Sequence, residues 1–168
     1  DVVPTSGVVV GFNVASNAVA KRGDGYLMQT PAYKRFFTVE EHLGLEPKIS
    51  ELVLEQDGSY SVDMDEFEKA IDESTKIFHL CNPHNPTGKV FSKDEMLKIA
   101  EVCLKKGLLI CSDDIHSDIV YSGSKHIPIA SLSDEIAQNS ITLISPSKTF
   151  NVAGFKSSAA IIQNPEMR

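Results

Sequence analysis

Three polar segments of this 168-residue chain carry side chains that could do chemistry. They cover residues 81–89, 112–116 and 145–154, and each follows a short, nearly continuous apolar run. Such runs are typical of strands buried on both faces of a parallel sheet. Because ligands bind at the carboxyl ends of strands in such sheets, a site is expected where these three segments meet.

The segment at 145–154 contains a candidate nucleophile, Lys148, with the hydroxyls of Ser145 and Ser147 just before it. A lysine at the rim of an apolar sheet is desolvated, which lowers the pKa of its amine and makes it nucleophilic. The neighbouring hydroxyls can bind an anion. The alternative is an ordinary surface loop with a solvated lysine.

The other two segments offer an acid and an amide. Asp113 and Asp114 follow an apolar run, where a carboxylate either pairs with a buried cation or caps the next helix. The sequence Asn82-Pro83-His84-Asn85-Pro86 has two Asn-Pro pairs in five residues, which indicates a defined turn. That turn either holds amide side chains at a strand end or is only a rigid connector.

The elements that must position these side chains alternate between strands and helices. Strands are expected at six places: 25–30, 51–54, 76–80, 108–111, 141–144 and 159–162. A capping box at Ser92 predicts a helix that ends at Gly107, and Asp63 can cap another. Residues 8–21 fit a helix, although their first three valines also fit a strand. The alternation predicts a three-layer α/β/α fold with a mostly parallel sheet.

The composition is that of one ordinary globular domain, with 42% hydrophobic residues and a formal net charge of −7. The negative charge argues against nucleic-acid and anionic membrane partners. No apolar stretch approaches the roughly 20 residues of a membrane span. Three cysteines without a C-x-x-C motif favour a reduced, cytoplasmic setting, and five histidines without zinc spacing predict no metal site.

Taken together, the three segments supply the set of side chains that holds pyridoxal 5′-phosphate. A lysine bonds this cofactor, an aspartate keeps its ring nitrogen protonated, and an asparagine hydrogen-bonds its ring hydroxyl. The strings NPHNPTGK, SDDIH and SPSKTFNVAG occur here in that order. With them the chain resembles the class I/II aminotransferase superfamily of fold type I pyridoxal-phosphate enzymes. It resembles most the cystathionine β-lyase-like, or C–S lyase, branch, and the likeness spans essentially all residues.

This resemblance implies a role for eleven residues. Lys148 would be the Schiff-base lysine, Asp113 the partner of the pyridine nitrogen, and Asn85 the donor to the ring hydroxyl. Backbone N–H groups at a helix start would bind the phosphate, since such a terminus favours an anion. The other implied contacts are Tyr33 on the ring face, His116 at the ring hydroxyl, and Gly7, Val8, Val9, Ser145, Ser147 and Lys156 at the phosphate.

Two positions depart from the commonest aminotransferase pattern. His116 stands where a tyrosine is usual as a second donor to the ring hydroxyl, and Lys156 stands where a phosphate-binding arginine is common. Lysine keeps the charge but loses the two-pronged geometry of arginine. His116 and the stretch 126–131 are features of the C–S lyase branch.

The resemblance implies a pyridoxal-phosphate enzyme that acts on amino acids. The first interpretation is β-elimination from cystathionine or cysteine-type substrates, giving thiol, pyruvate and ammonia. Transfer of the amino group to a 2-oxo acid is the alternative, because the same residues serve both reactions. A non-catalytic regulatory module that has kept the pocket is the third.

Members of this superfamily are longer than this chain. The resemblance therefore implies that residues 1–168 form a partial large, cofactor-binding domain, without the N-terminal arm and the C-terminal small domain. The arginine that grips the substrate carboxylate would lie in that small domain. A homodimer is also implied. We expect the chain alone to turn over no amino acid.

Overall fold

The computed structural model describes all residues from 1 to 168 and contains one eight-stranded sheet. The strands are β1 (Val2–Thr5), β2 (Gly25–Thr30), β3 (Glu46–Leu54), β4 (Tyr60–Val62), β5 (Thr75–Cys81), β6 (Leu109–Asp113), β7 (Ser140–Ile144) and β8 (Ser158–Ile162). The helices are α1 (Val8–Val19), α2 (Thr38–Leu43), α3 (Met64–Lys69), α4 (Lys93–Lys106) and α5 (Asp134–Gln138). No helix is both long and apolar enough to cross a bilayer.

The strand order is β1-β8-β7-β6-β5-β2-β3-β4. The five strands from β7 to β3 pair in parallel, whereas β1, β8 and β4 join the edges in antiparallel pairs. Helices cover both faces, with one buried core beneath α1 and α2 and a second beneath α3, α4 and α5. The expected mostly parallel α/β/α fold is confirmed.

The central elements lie where the sequence pattern places them. β2 spans the expected 25–30, and the strands expected at 76–80, 108–111, 141–144 and 159–162 differ from the structure by one or two residues at an end. The valines at 8–10 begin α1 rather than a strand, because Val8 packs with Phe12 and Ala15 at helical spacing on the first core. The edge strands β1 and β4 and the short helices α2 and α5 were not predicted.

Local capping explains where the helices begin and end. Ser92 and Glu95 form the expected capping box at the start of α4, and Gly107 ends that helix in the left-handed conformation at φ 70°. The carboxylate of Asp63 accepts the N–H groups of Asp65 and Glu66 at the start of α3. These caps fix the helices that cover the second face of the sheet.

The parallel register aligns the ends of three neighbouring strands. Cys81, the last residue of β5, is the partner of Asp113 in β6, and Asp113 is the partner of Leu143 in β7. Asp113 is therefore the last residue of a strand rather than a loop residue. The segments that follow β5, β6 and β7 consequently leave the sheet side by side.

Candidate active site

A cavity of about 720 Å³ opens at this carboxyl edge, beside the first turn of α1. Its size is typical of a site for a small molecule. Ten of the eleven residues singled out from the sequence line it: Gly7, Val8, Val9, Tyr33, Asn85, Asp113, His116, Ser147, Lys148 and Lys156. Side chains from distant parts of the chain thus meet at one place.

Ser145 is the residue that does not line the cavity. Its hydroxyl donates to the Ser157 carbonyl at 2.7 Å and lies 2.6 Å from the hydroxyl of Ser147. The Ser147 N–H donates to the Ser145 hydroxyl at 3.1 Å. Ser145 therefore holds the loop that presents Ser147, and it faces a neighbouring surface depression instead.

Asp113 is buried at the base of the cavity. Its carboxylate accepts the N–H of Ile115 at 3.1 Å. Burial raises the pKa of Asp113 to about 7, the nearby Asp114 adds to this effect, and the Ile115 N–H and the charge of Lys148 oppose it. A cationic N–H on a bound ligand would supply the missing counter-charge and favour the ionised carboxylate.

The adjacent acid, Asp114, is engaged elsewhere. Its carboxylate accepts a hydrogen bond from the Ser112 hydroxyl at 2.5 Å and lies 2.9 Å from Nε2 of His126. It does not line the cavity. Of two consecutive buried acids, only Asp113 is available to a ligand.

Lys148 is exposed on the cavity wall, so the desolvation expected from its place after a buried strand does not occur in this chain. The reason is that the cavity is open on this side, which leaves the Lys148 side chain in contact with solvent. The next residue, Thr149, donates its hydroxyl to Asp118 at 2.8 Å and so ties the lysine loop to the segment after β6.

His116 is half-buried on the same wall. Burial lowers its pKa, the charge of Lys148 lowers it further, and the Pro83 carbonyl opposes both. The imidazole is therefore mainly neutral near neutral pH, and can donate and accept hydrogen bonds without adding a charge.

Asn85 reaches the cavity from a tightly closed turn. The N–H of His84 donates to the Lys89 carbonyl and the N–H of Gly88 to the His84 carbonyl, each at 2.7 Å. The side-chain amide of Asn85 has no partner within the chain. Asn82, by contrast, uses its side-chain oxygen to accept the Phe91 N–H at 3.2 Å. The turn thus leaves Asn85 available to a ligand.

The start of α1 forms a polar cradle on the cavity wall. No side chain caps the helix, and the N–H groups of its first turn have no acceptor within the helix. Gly7 precedes them at φ 134°, a conformation that favours glycine. Its own N–H donates to the Ser158 hydroxyl at 2.8 Å, which in turn donates to the Thr5 carbonyl at 3.1 Å.

Several lining residues were not anticipated from the sequence. Arg35, Thr38 and His42 form one wall, and Cys81 lies at the end of β5. The spacing 35, 38, 42 places the first three on one side of a helical segment, a signal that the short length of α2 concealed. Ser158, which anchors the Gly7 turn, was also missed. Nowhere in the chain do three His, Cys, Asp or Glu side chains converge as a metal site would require.

Comparison with known proteins identifies the family. The sequence matches the family described as aminotransferase class I and II over residues 1–168. The chain belongs to this family. The cystathionine beta-lyase PatB of Bacillus subtilis (strain 168) is 45% identical over 157 residues, which are 93% of this chain and 40% of that protein. The tyrosine aminotransferase of Homo sapiens is 34% identical over 136 residues, 81% of this chain and 30% of that protein.

The fold of this aminotransferase-family chain closely matches that of a solved structure. Cystalysin from Treponema denticola, whose crystal structure contains pyridoxal 5′-phosphate, superposes with a TM-score of 0.94 at 38% identity. The match covers 99% of this chain and 42% of cystalysin. The chain therefore spans about two fifths of the length of relatives such as the lyase and cystalysin.

The residues present fit pyridoxal phosphate. A phosphate matches the free N–H groups at the start of α1, because helix N-termini bind anions. A protonated ring nitrogen matches the buried carboxyl of Asp113, and a ring hydroxyl matches the free amide of Asn85. An aldehyde matches the amine of Lys148 on the same wall. Each of the cofactor's functional groups thus has a complementary group in one cavity.

Proposed function

We propose that this chain is the cofactor-binding part of a pyridoxal-phosphate-dependent C–S β-lyase. The single observation that carries the proposal is that Lys148, Asp113 and Asn85 meet in one cavity beside an uncapped helix N-terminus. The substrates would be cystathionine or cysteine-type amino acids, and the products would be a thiol, pyruvate and ammonia. The 45% identity to the Bacillus subtilis cystathionine beta-lyase supports this reaction.

Pyridoxal phosphate, when bound, supplies a conjugated ring that accepts the electron pair left when a proton leaves the Cα atom of an amino acid. Lys148 would hold the cofactor covalently and then act as the base that removes the Cα proton. Asp113 would hold the proton on the ring nitrogen, so that the ring keeps its capacity to accept electrons. Asn85 and the neutral imidazole of His116 would orient the ring hydroxyl.

The remaining residues would fix the position of the ring. Tyr33 would pack on its face, and Val8 and Val9 would donate backbone N–H groups to the phosphate. Gly7 would shape the turn that presents them, because its own N–H already donates to Ser158. Ser147 and Lys156 would complete the phosphate site. Ser145 would act through Ser147 rather than on the phosphate itself, because its hydroxyl already donates to Ser157.

Amino transfer is the second candidate, supported by the 34% identity to the human tyrosine aminotransferase. Every residue named above either holds the cofactor or serves removal of the Cα proton, and both reactions need these two things. The two are separated by supplying cystathionine or cysteine to the whole enzyme, of which residues 1–168 would be a part, and measuring thiol and pyruvate against 2-oxo-acid-dependent amino transfer. Amino transfer without thiol release would overturn the lyase proposal.

Three further features are part of the proposal. Residues 1–168 would be most of a large cofactor-binding domain, with the N-terminal arm and small domain lying outside them, as coverage of only 40% of the lyase suggests. The enzyme would work as a homodimer. Its setting would be the cytoplasm, which the three buried, unpaired cysteines favour.

The experiment that tests the cofactor assignment titrates the full chain with pyridoxal phosphate and reduces the product with borohydride. The expected result is a stable adduct on Lys148 that is absent in Lys148→Ala. Lys125→Ala is the matched control, since Lys125 is exposed and does not line the cavity. An adduct of undiminished yield in Lys148→Ala would remove the basis of the proposal.

A further inference from the structure

One wall of the cavity carries positive charge that the proposed cofactor does not use. Three formal cations line the cavity, Arg35, Lys148 and Lys156, against the single carboxyl of Asp113. This local excess lies in a chain whose net charge is −7. Of the three cations, Lys148 is assigned to the covalent bond and Lys156 to the phosphate. Arg35 has no assigned partner.

The residues that line the cavity around Arg35 are three and four positions apart in the chain. Arg35 lies in a 3₁₀ turn at Lys34–Phe37, and Thr38 and His42 follow in α2, so all three line the cavity from one side of this segment. The acids of α2, Glu40 and Glu41, do not line the cavity. No acid in the chain forms an ion pair with Arg35, so its guanidinium is free to bind an anion.

The segment that presents Arg35 is anchored to α1. The Thr38 hydroxyl donates to the Arg35 carbonyl at 2.7 Å, and the Asn13 side-chain amide donates to Thr38 at 3.0 Å. The rings of Phe36 and Phe12 stack with centroids 4.9 Å apart. Because both ends of the turn are fixed, the backbone at Arg35 is held against the cavity wall.

We propose that Arg35, with His42 beside it, forms a second anion subsite that binds a carboxylate on the side chain of the substrate. Thr38 positions Arg35 rather than binding the anion, because its hydroxyl already donates to the Arg35 carbonyl. The inference rests on the proposed function and narrows its substrate class to amino acids whose thioether side chain ends in an acid. Arginine is suited to this role, because its planar donors match the two oxygens of a carboxylate.

The test compares two substrates of nearly equal shape, S-carboxymethylcysteine and its neutral amide S-carbamoylmethylcysteine. The full-chain holoenzyme is titrated with each, and the dissociation constant is read from the change in cofactor absorbance. The wild type is expected to bind the acid about fivefold more tightly than the amide, the size of an ion pair open to solvent. Arg35→Gln should abolish this preference, and Arg35→Lys should restore part of it.

Lys34→Gln is the matched control, because Lys34 is the neighbouring exposed cation and does not line the cavity. It should leave the preference unchanged. An equal preference for the acid over the amide in the wild type and in Arg35→Gln would overturn the inference. So would an intact preference in Arg35→Gln combined with weaker cofactor binding, because that result would assign Arg35 to the phosphate. Failure of the wild type to bind pyridoxal phosphate would instead refute the proposed function.

Discussion

Nε2 of His126 lies 2.9 Å from the carboxylate of Asp114, the acid that directly follows Asp113. Both side chains are largely buried, with 10% of His126 and 2% of Asp114 exposed. The contact joins the end of β6 to a residue twelve positions later, and so closes the segment that carries His116. It also gives the second of two consecutive buried acids a partner of its own.

Removing His126 should therefore destabilise the fold. His126→Ala would remove one of the two side chains that hydrogen-bond the buried Asp114 carboxylate, and we expect the free energy of unfolding to fall by about 2 kcal/mol. Urea denaturation at pH 6 measures this. Lys69→Ala is the control, because the Lys69–Glu66 pair is exposed and its loss should cost less than about 0.5 kcal/mol. Equal effects of the two variants would contradict the assigned role of the buried pair.

Asp113 should make the cofactor-free chain less stable as the pH rises. Its pKa of about 7 in the fold exceeds that of an unfolded aspartate, so between about pH 4 and 7 the unfolded chain binds fewer protons. Its contribution to stability is therefore present at acidic pH and is lost as the pH rises through 7. At pH 8 the free energy of unfolding of Asp113→Asn should exceed that of the wild type by roughly 4 kcal/mol, since each pH unit between about 4 and 7 costs the buried carboxylate about 1.4 kcal/mol.

Denaturation curves from pH 5 to 8 measure this difference. Glu101→Gln is the control, because Glu101 is an exposed acid whose carboxylate accepts no hydrogen bond within the chain, and the pH profile of this variant should follow the wild type. If the wild type were instead more stable than Asp113→Asn, by a margin that grows with pH, the fold would stabilise the ionised carboxylate of Asp113 rather than destabilise it.

His79 should give the chain an acid-sensitive core. It is buried against Ser16, with 2.9 Å between Nε2 and the hydroxyl, and burial lowers its pKa to about 3. Below about pH 6.5 the unfolded chain gains a proton that the fold excludes, so stability falls as the pH drops from 6.5 towards 3. His84, with a pKa lowered to about 4, adds to the same trend.

His79→Gln should flatten this loss of stability on acidification, since glutamine does not titrate. The measurement is the free energy of unfolding at pH 4 relative to pH 7. Exposed His42→Gln is the control and should keep the wild-type slope. If His79→Gln lost stability as steeply as the wild type, His79 would not be the source.

Gly7→Ala should weaken cofactor binding out of proportion to its effect on the fold. Nothing lies within 4 Å of a Cβ at this position, so the cost comes from the backbone angle, φ 134°, and should be about 1 kcal/mol of stability. A shift of the turn would misplace the N–H groups of α1, and we expect about tenfold weaker binding of pyridoxal phosphate.

Gly58→Ala is the matched control, because Gly58 also has a positive φ, 84°, and open space around it, but lies in a turn away from the cavity. It should lose comparable stability and keep its affinity for the cofactor. Similar losses of affinity in both variants would attribute the effect to general destabilisation rather than to the cradle.

The sequence by itself determined the central fold and most of the cavity. Nearly continuous apolar runs are typical of strands covered on both faces, so a mostly parallel sheet with a site at its carboxyl edge, near Asn85, Asp113 and Lys148, could be predicted from pattern alone. Capping side chains accept hydrogen bonds from N–H groups two or three residues away, so the starts of α3 and α4 could also be predicted from the sequence.

Only the tertiary structure decided which of several similar side chains face the cavity. Ser145 and Ser147 are equivalent in sequence, but the Ser157 carbonyl, brought near by the pairing of β7 with β8, engages Ser145. Asp114 is likewise withdrawn by the distant His126. Arg35 enters the wall because stacking of Phe36 on Phe12 docks its turn against α1. Such contacts join residues far apart in the chain, and no local periodicity encodes them.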